Sequence, residues 1–557
     1  MAAVAVFVAA TIPPRRQQLS AIGDRTIAGT LHVHTSRSDG LSGPDEIAAA
    51  AAQAGLKFIV FTDHGDGTRT PDPPAYRSGV LCLDGVEIST NQGHYVAIGM
   101  PAAPYPLAGD ARDVVEDVRR LGGFGIAAHP DSPNPKLAWH EWTAPFDGIE
   151  LLNPDTSWRT LAYDSGVAGK RQLATALLDY PFRPAETMAN AIRDSRSIAA
   201  WQALAARRPV VAIAGVDAHA KLEWGSYPGP RYSLPFFGYR SAFQLMSVHV
   251  AIDGALSGQA AADAALVLQA IRAGHLYTAV DGLATPPAFE FLAANSRDTV
   301  TQGDELEAGG GVGLHVRSNA PPHYTTIVHR GTAVLATARD AGDWTIHATE
   351  EPAVYWVEIV APHQPQPIAW LRSNPIYVRG TAKPVETTTV AARPPGLVEP
   401  LFDGASTNGW QVEHDPASLA AIDFVNGTSG GELRFRYGLG GGTPTTQTAA
   451  LVYTTTNGIQ AADRLTFRIR AERPMRISVQ LRAKNADRWQ RSVYVDPSAT
   501  ERTVRFDDMT PVGITSTGPT VAPPLADILG VMFVVDLANN KPGSSGRVWL
   551  SDVRFER

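Results

Sequence analysis

The chain has 557 residues, a length that suggests about three or four domains. Its composition, 44% hydrophobic and 18% charged with 50 glycines and 42 prolines, suits a globular chain rich in strands and turns rather than a disordered one. Lys plus Arg is 48 against 55 for Asp plus Glu, a net charge of −7, so no extended nucleic acid is expected as a partner. A small phosphorylated molecule stays open, because a local cation site overrides net charge.

The chain opens on "MAAVAVFVAATIPPRRQQLS". The apolar run Ala2–Ala10 is too short to span a bilayer. It is similar to a signal-peptide core, although no Lys or Arg precedes it. Residues 1–23 are therefore expected to be a signal remnant or flexible tail, with export to the periplasm or medium favoured slightly over a cytoplasmic location. No later segment is apolar enough for a membrane span.

Residues 24–285 alternate apolar runs with helical stretches. The runs are "TIAGTLHVHT", "LKFIVFTDHG", "GVLCLDGVEIS", "HYVAIGM", "FGIAAHP", "FDGIELLN" and "PVVAIAGVDAHA". Between them, "SGPDEIAAAAAQAG" has Pro44 early and Gly55 at its stop, as a helix prefers. "DARDVVEDVRRLGG" puts acids in its first turn and arginines in its last. "SRSIAAWQALAARR" and "ADAALVLQAIRAG" are two more helices. Strands apolar throughout and alternating with helices predict a buried parallel sheet, an α/β barrel or a doubly wound sheet. The one cysteine, Cys82, sits in an apolar strand and reads as a buried thiol.

Residues 286–380 change texture to short alternating runs at hairpin spacing, which predicts a small β-sandwich. Residues 381–397, rich in Pro and Thr, read as a linker. Residues 398–557 carry about eight more alternating strands, the pattern of a jelly roll.

The chemistry gathers where the first-half runs end. His32, His34 and Asp39 follow the first run, and Asp63 and His64 the second. Glu87 ends the third, His94 opens the fourth, His129 ends the fifth, and Asp217 and His219 end the seventh. His32 and His34, two apart on a strand, leave one face side by side. Six of the seven histidines between residues 30 and 219 stand at such ends; only His140 does not. In parallel α/β folds, ligands bind outside the carboxyl ends of the strands. Taken singly, each residue has an ordinary explanation: Asp63-His64 a turn, Glu87 a buried carboxylate paired to an arginine, His94 a strand histidine. Taken together, imidazoles and carboxylates in one place carry a penalty of several kcal/mol per buried charge unless a divalent ion joins them. With Asp63 set aside, the nine that remain exceed the needs of one ion, so two or three ions sharing a carboxylate fit better. Such a site activates water for hydrolysis, phosphoester hydrolysis most naturally.

"HVHTSRSDG", "FTDHG", "GVEIS", "GIAAHP" and "GVDAHA", in this order, resemble the polymerase and histidinol phosphatase (PHP) family of metal-dependent hydrolases. The resemblance covers roughly residues 24–285 and implies a distorted (β/α)7 barrel, giving an α/β plus all-β chain. It implies up to three ions, Zn, Mn or Fe among the candidates. His32, His34, Glu87 and Asp217 would hold the first, with Glu87 bridging to a second at His94 and His129. Asp39, His64 and His219 would hold the third. A metal-bridging water would stand among Asp39, His64, Glu87 and His219, and Asp63 would orient His64 or its neighbours. Arg37 and Lys221 are candidate phosphate contacts; equally, they are solvated surface charges. "WLRSNPIYV" is similar to the ending of a carbaryl-hydrolase branch of the family, which keeps carbamate and carboxyl esters beside phosphoesters as substrates. The last 160 residues resemble galactose-binding-like jelly rolls of carbohydrate-binding modules through "LFDGASTNGWQVEHD" and "GRVWLSDVRFE". On that resemblance carbohydrate is a candidate partner there, and the barrel of a glycan-binding protein would be a scaffold. Trp410 and Trp489 either stack on a sugar or, more commonly, fill the core. Asp403 and Asp552 are candidates for a structural calcium, or simply solvated hairpin ends.

Overall fold

A computed structural model describes residues 11–20, 23, 25–163, 166–224, 232–348, 351–362, 367–380, 396, 398–427, 430–442, 447–456, 458–513 and 522–557. The apolar N-terminal run and all of the proposed linker except Gly396 lie outside them. The chain divides into two compact units, one of Met1–Ala102 with Val114–Ala382 and one of Ala103–Asp113 with Lys383–Arg557. No helix among the described residues is long and apolar enough to cross a membrane.

The first unit is built on seven strands. They are β1 (Thr26–Val33), β2 (Phe58–Phe61), β3 (Val80–Thr90), β4 (Gly93–Ile98), β5 (Phe124–Ala127), β6 (Gly148–Leu152) and β7 (Val211–Ala218). They pair in chain order, and β7 pairs back onto β1, so the ring closes. All neighbours are parallel except β4, which runs antiparallel to β3 and β5. Here the sequence reading needs correction. Thr90 pairs with Gly93, so only two residues join β3 to β4. That makes a hairpin, whereas a parallel crossover needs a dozen residues or more. The barrel is therefore not a strict (β/α)7.

The ring strands are apolar on both faces because helices cover the outside. Phe58, Ile59, Val60, Leu81, Ile126 and Ile213 are all buried. The helix Pro44–Ala54 has proline in its first turn and ends at Gly55, whose φ of 88° lets its N–H reach the carbonyls of Ala51 and Ala52. Three helices between Pro154 and Ala189 were not anticipated from the sequence. One of them, "PDTSWRTLAY", has no clean apolar stripe. Cys82 is buried in β3, and burial pushes its thiol up to about 11.

The sheet continues past the ring. Ser247–Ala251 pairs with β1, then Leu276–Ala279, Ile368–Ser373 and Ala353–Ala361 follow. A four-stranded sheet that includes Phe289–Ala294 and Gly313–Ser318 shares a core with these strands through Tyr277, Phe291, Leu314, Val357 and Trp370. Residues 286–380 thus add a sandwich layer to a sheet that begins in the barrel.

The second unit holds two six-stranded antiparallel sheets. Their facing sides alternate inward residues such as Phe435, Leu451, Phe467, Ile477 and Phe533. Trp410 and Trp489 belong to this core, and the Trp410 indole N–H donates to the Leu401 carbonyl at 2.9 Å. Neither ring is available to stack on a sugar. Asp403 accepts from the backbone N–H of Ala405 and Ser406, and Asp552 lies 3.6 Å from Arg468, so both have partners without calcium.

Candidate metal centre

The site begins with an irregularity in β1. The register shifts across Leu31–Val33, and His32 has a φ of 63°. His129 and Asp217 also have positive φ, 28° and 49°. Non-glycine residues in that region cost about 1–3 kcal/mol each and concentrate where function demands a particular orientation. The bulge still sets His32 and His34 together, with ring centroids 5.2 Å apart. β4 runs opposite to its neighbours, so His94 at its start reaches the same rim as the strand ends.

All nine residues proposed as ligands meet at this rim. Donor atoms lie close together in four overlapping sets: His34, Asp39, His64 and His219; His32, Glu87 and His129; His32, His34 and Asp217; His64, Glu87 and His94. Glu87 is central. Its Oε2 is 3.3 Å from His32 Nε2, 3.2 Å from His34 Nε2 and 3.2 Å from His64 Nδ1. Its Oε1 is 2.7 Å from His94 Nδ1 and 2.9 Å from His129 Nε2. Asp217 Oδ1 stands 3.5 Å from His32 Nε2 and 3.4 Å from His34 Nε2.

These spacings fit an ion. Tetrahedral ligands at about 2.1 Å from a metal stand about 3.4 Å from one another. The nitrogens agree: His32 Nε2, both ring nitrogens of His34 and His129 Nδ1 are buried without a hydrogen-bond partner. Buried polar atoms are rarely left so. A divalent ion satisfies imidazole nitrogen and carboxylate oxygen together.

Charge follows the same logic. Burial alone would lower the His32 pKa, yet Glu150, Asp217 and Glu87 hold it well above the ordinary value. Burial would raise Glu87 and Asp217, but the surrounding histidines, His32 first, keep both well below the carboxylate range. Burial lowers His219 too, and is outweighed by Asp39 and Asp217, which lift it to about 9. His64 is lowered, mainly by burial. Protons on imidazoles balance the carboxylates here, and a cation can take their place. Asp39 and His64 are the open side of the cluster, 39% and 35% exposed against 1% for Glu87.

Supporting residues fix these side chains. Asp63 accepts from Thr35 N and Oγ1, both at 2.8 Å, and from Ser38 Oγ at 2.6 Å, so it holds the turn that carries Asp39. Tyr239 donates to the His34 carbonyl at 2.8 Å. Gly40 lies under both: a Cβ there would fall 2.2 Å from the His34 oxygen and 2.6 Å from the Tyr239 hydroxyl. The sequence reading missed Glu150. Its Oε1 is 2.5 Å from His32 Nδ1, and its Oε2 accepts from His129 N at 2.8 Å and Asn153 Nδ2 at 3.1 Å. Asn153 Nδ2 also reaches Asp217 Oδ2 at 3.4 Å. The signal was present, since "FDGIELLN" was the one run whose end had been given no function. Arg37 pairs with Asp72 and Asp84. Lys221 opens the short strand Lys221–Trp224. His140, set apart by the sequence, contacts the Pro135 carbonyl.

No family model matches the chain. It is 28% identical over 138 residues to an uncharacterised protein of Methanocaldococcus jannaschii, covering 22% of this chain and 80% of that one. It is 32% identical over 108 residues to a 3′,5′-nucleoside bisphosphate phosphatase of Chromobacterium violaceum, covering 18% of this chain and 38% of the phosphatase. Among solved structures, it is similar to a two-domain protein of Bacteroides vulgatus containing a predicted PHP-like metal-dependent phosphoesterase. That likeness covers 66% of this chain and 99% of the other, at 14% identity and a TM-score of 0.29. A family 11 carbohydrate-binding module of a Clostridium thermocellum cellulase matches 28% of this chain and 94% of its own, at 16% identity and a TM-score of 0.23.

Proposed function

We propose that the chain is a metal-dependent hydrolase of PHP type, a phosphoesterase acting on a phosphomonoester or phosphodiester of a small molecule or sugar. One observation carries the reading: nine imidazoles and carboxylates from all but one of the seven barrel strands or the turns after them meet at one rim, with orphaned nitrogens at ligand spacing. His32, His34, Glu87, Asp217, His94 and His129 would hold two ions, and Asp39, His64 and His219 a third. Ions held there supply Lewis acidity and activate water for attack on an ester. The chain's own part is positional. Glu150 and Asn153 fix His32, His129 and Asp217 from behind; Asp63 fixes the turn of Asp39. The buried half of the cluster stays dry, while Asp39 and His64 leave an approach for the substrate. The partial match to a bisphosphate phosphatase supports phosphorus over carbon as the centre attacked.

Elemental analysis of the purified protein, joined to a panel of aryl phosphomonoesters, phosphodiesters, carbamates and carboxyl esters, tests this. Two or more equivalents of Zn, Mn or Fe and turnover of phosphoesters first are expected. Turnover of carbamates or carboxyl esters alone would move the reaction to carbon at the same site. Phosphoester turnover that survives complete chelation would remove the metal-dependent reading.

A further inference from the structure

A cavity of about 220 Å³ opens at the ends of β5 and β6. His129 and Glu150 form part of its wall, so it adjoins the candidate metal centre. Arg193 and Arg196 also line it, together with the hydroxyl-bearing Thr156, Ser157 and Thr160. The space is ample for one tetrahedral anion and its hydration.

Arg193 is held by neutral acceptors. Its Nη1 donates to the Ile192 carbonyl at 2.9 Å, and its Nη2 to Gln172 Oε1 at 2.6 Å. The Arg196 guanidinium donates to the Asp131 carbonyl at 2.9 Å. No carboxylate pairs with either guanidinium among the described residues. Burial lowers the Arg193 pKa, with no anion to restore it. Three carboxylates share the cavity wall, and all are engaged. Glu150 faces His32 Nδ1 and accepts from His129 N and Asn153 Nδ2. Asp131 accepts from Ser195 Oγ and Ser197 Oγ, each at 2.6 Å, and from Arg196 N at 2.8 Å. Asp194 lies 3.5 Å from Arg372. A part-buried cation pinned by carbonyls and lacking a counter-ion is half of an ion pair. The planar guanidinium fork fits carboxylate and phosphate oxygens.

We propose that this cavity is an anion subsite, and that the substrate carries a second phosphate or carboxylate beyond the ester being cleaved. The proposal rests on the phosphoesterase reading and narrows its substrate class. Arg193 and Arg196 would hold the second anion while the metal centre takes the scissile phosphate.

The test uses full-length, metal-loaded protein and three substrate series with chains of two to six carbons: alkyl monophosphates, ω-carboxyalkyl phosphates and alkanediol bisphosphates. At one chain length or more, a second anion should raise kcat/KM about 10- to 100-fold, the range of one or two charge-assisted hydrogen bonds, chiefly through KM. The carboxylate and bisphosphate series separate the two kinds of anion. Arg196→Gln, at an exposed side chain, should collapse that ratio to within about threefold of one. Arg193→Gln should do the same, and its circular dichroism spectrum checks that the 190–193 turn survives. Cleavage of monophosphates with no preference at any length overturns the subsite and leaves the phosphoesterase reading standing. A preference that persists in both variants also overturns it. Absence of turnover in every series, and of aryl phosphodiesters as well, overturns both; turnover of the phosphodiesters alone overturns only the subsite.

Discussion

In the C-terminal sandwich Arg434 meets Asp423 at 2.9 and 2.5 Å, and Arg470 meets Glu432 at 3.0 and 2.6 Å, three of the four side chains being about a third exposed. Below them an alternating apolar core does the folding. At the barrel rim the order is reversed. Glu87, Glu150 and Asp217 are buried among five histidines that are themselves mostly enclosed, and three of these residues' neighbours or members hold strained backbone. Ion pairs that keep contact with water contribute about 0–1 kcal/mol each, so the sandwich loses little if one is removed. Buried charges without full pairing oppose folding. A chain retains such an arrangement where something other than stability depends on it. The second unit buries charge too, but as a closed pair: Arg476 meets Asp113 at 3.2 Å. What sets the rim apart is buried imidazoles and carboxylates gathered with ring nitrogens left unbonded.

The sharpest break of that comparison comes at Asp217. Asp217→Asn keeps the shape and removes one charge facing His32 and His34. Phosphoesterase turnover should fall at least about a thousandfold, some 4 kcal/mol of transition-state stabilisation. Metal content should fall with it, while the metal-free protein stays folded with a lowered melting temperature, because the carboxylate's pairing with His32 and His34 is lost. A stability loss that matches the activity loss would make Asp217 a structural residue.

The converse change lies in the sandwich. Trp489 is fully buried, and Trp489→Ala should cost about 3–5 kcal/mol in urea unfolding of the second unit. Metal content and turnover should not follow. If stability is unchanged and retention on polysaccharide drops instead, the indole faces a ligand and its place in the core is wrong.

A smaller effect separates buried charge that serves the rim from buried charge that does not. Asp281 is buried with none of the nine residues among its hydrogen-bond partners, accepting from Ser247 Oγ at 2.6 Å and Thr285 Oγ1 at 3.2 Å. Burial pushes its carboxyl up to about 7 from 3.8. The folded state then keeps a proton that the unfolded chain has released. Its contribution to stability is complete below pH 3.8 and is lost as pH rises through 7, at up to about 1.4 kcal/mol per pH unit. Asp281→Asn should remove this slope, read as the difference between the two proteins' unfolding free energies from pH 4.5 to 8. Parallel curves would show that Asp281 is ionised in the fold.

Much of the rim was legible because one local rule sufficed: ligands gather at strand ends. His32, His34, His64, His129, Asp217 and His219 obey it directly. The rule also fits Glu150, which was overlooked because the acid sits in an otherwise apolar run. Tyr239 and Asn153 carry no local signal, since their roles depend on a carbonyl and a carboxylate far away in sequence. The hairpin of β3 and β4 was hidden because "HYVAIGM" reads as one more buried strand, and direction is not encoded in apolar content. In the sandwich, strict alternation made the strands legible. It did not say whether Trp410 and Trp489 faced inward, because both sides of those strands carry large residues.

The finest test concerns Glu150, where the two uses of buried charge meet. One of its oxygens takes the His32 Nδ1 proton; the other takes two donors, His129 N and Asn153 Nδ2. Glu150→Gln keeps the volume but puts an NH2 group against at least one of those donors, so one side of the carboxyl loses its bond. His32 or His129 then turns, and metal affinity should weaken about 10- to 100-fold by chelator competition, with the fold retained. Gly215 offers the same test from the other direction. A Cβ at that position would lie 1.8 Å from Glu150 Oε1, so Gly215→Ala must displace the carboxylate without changing its charge. If position is what Glu150 contributes, the two variants weaken metal binding alike. If Gly215→Ala binds metal as the parent does while Glu150→Gln does not, negative charge near His32 matters and its geometry does not.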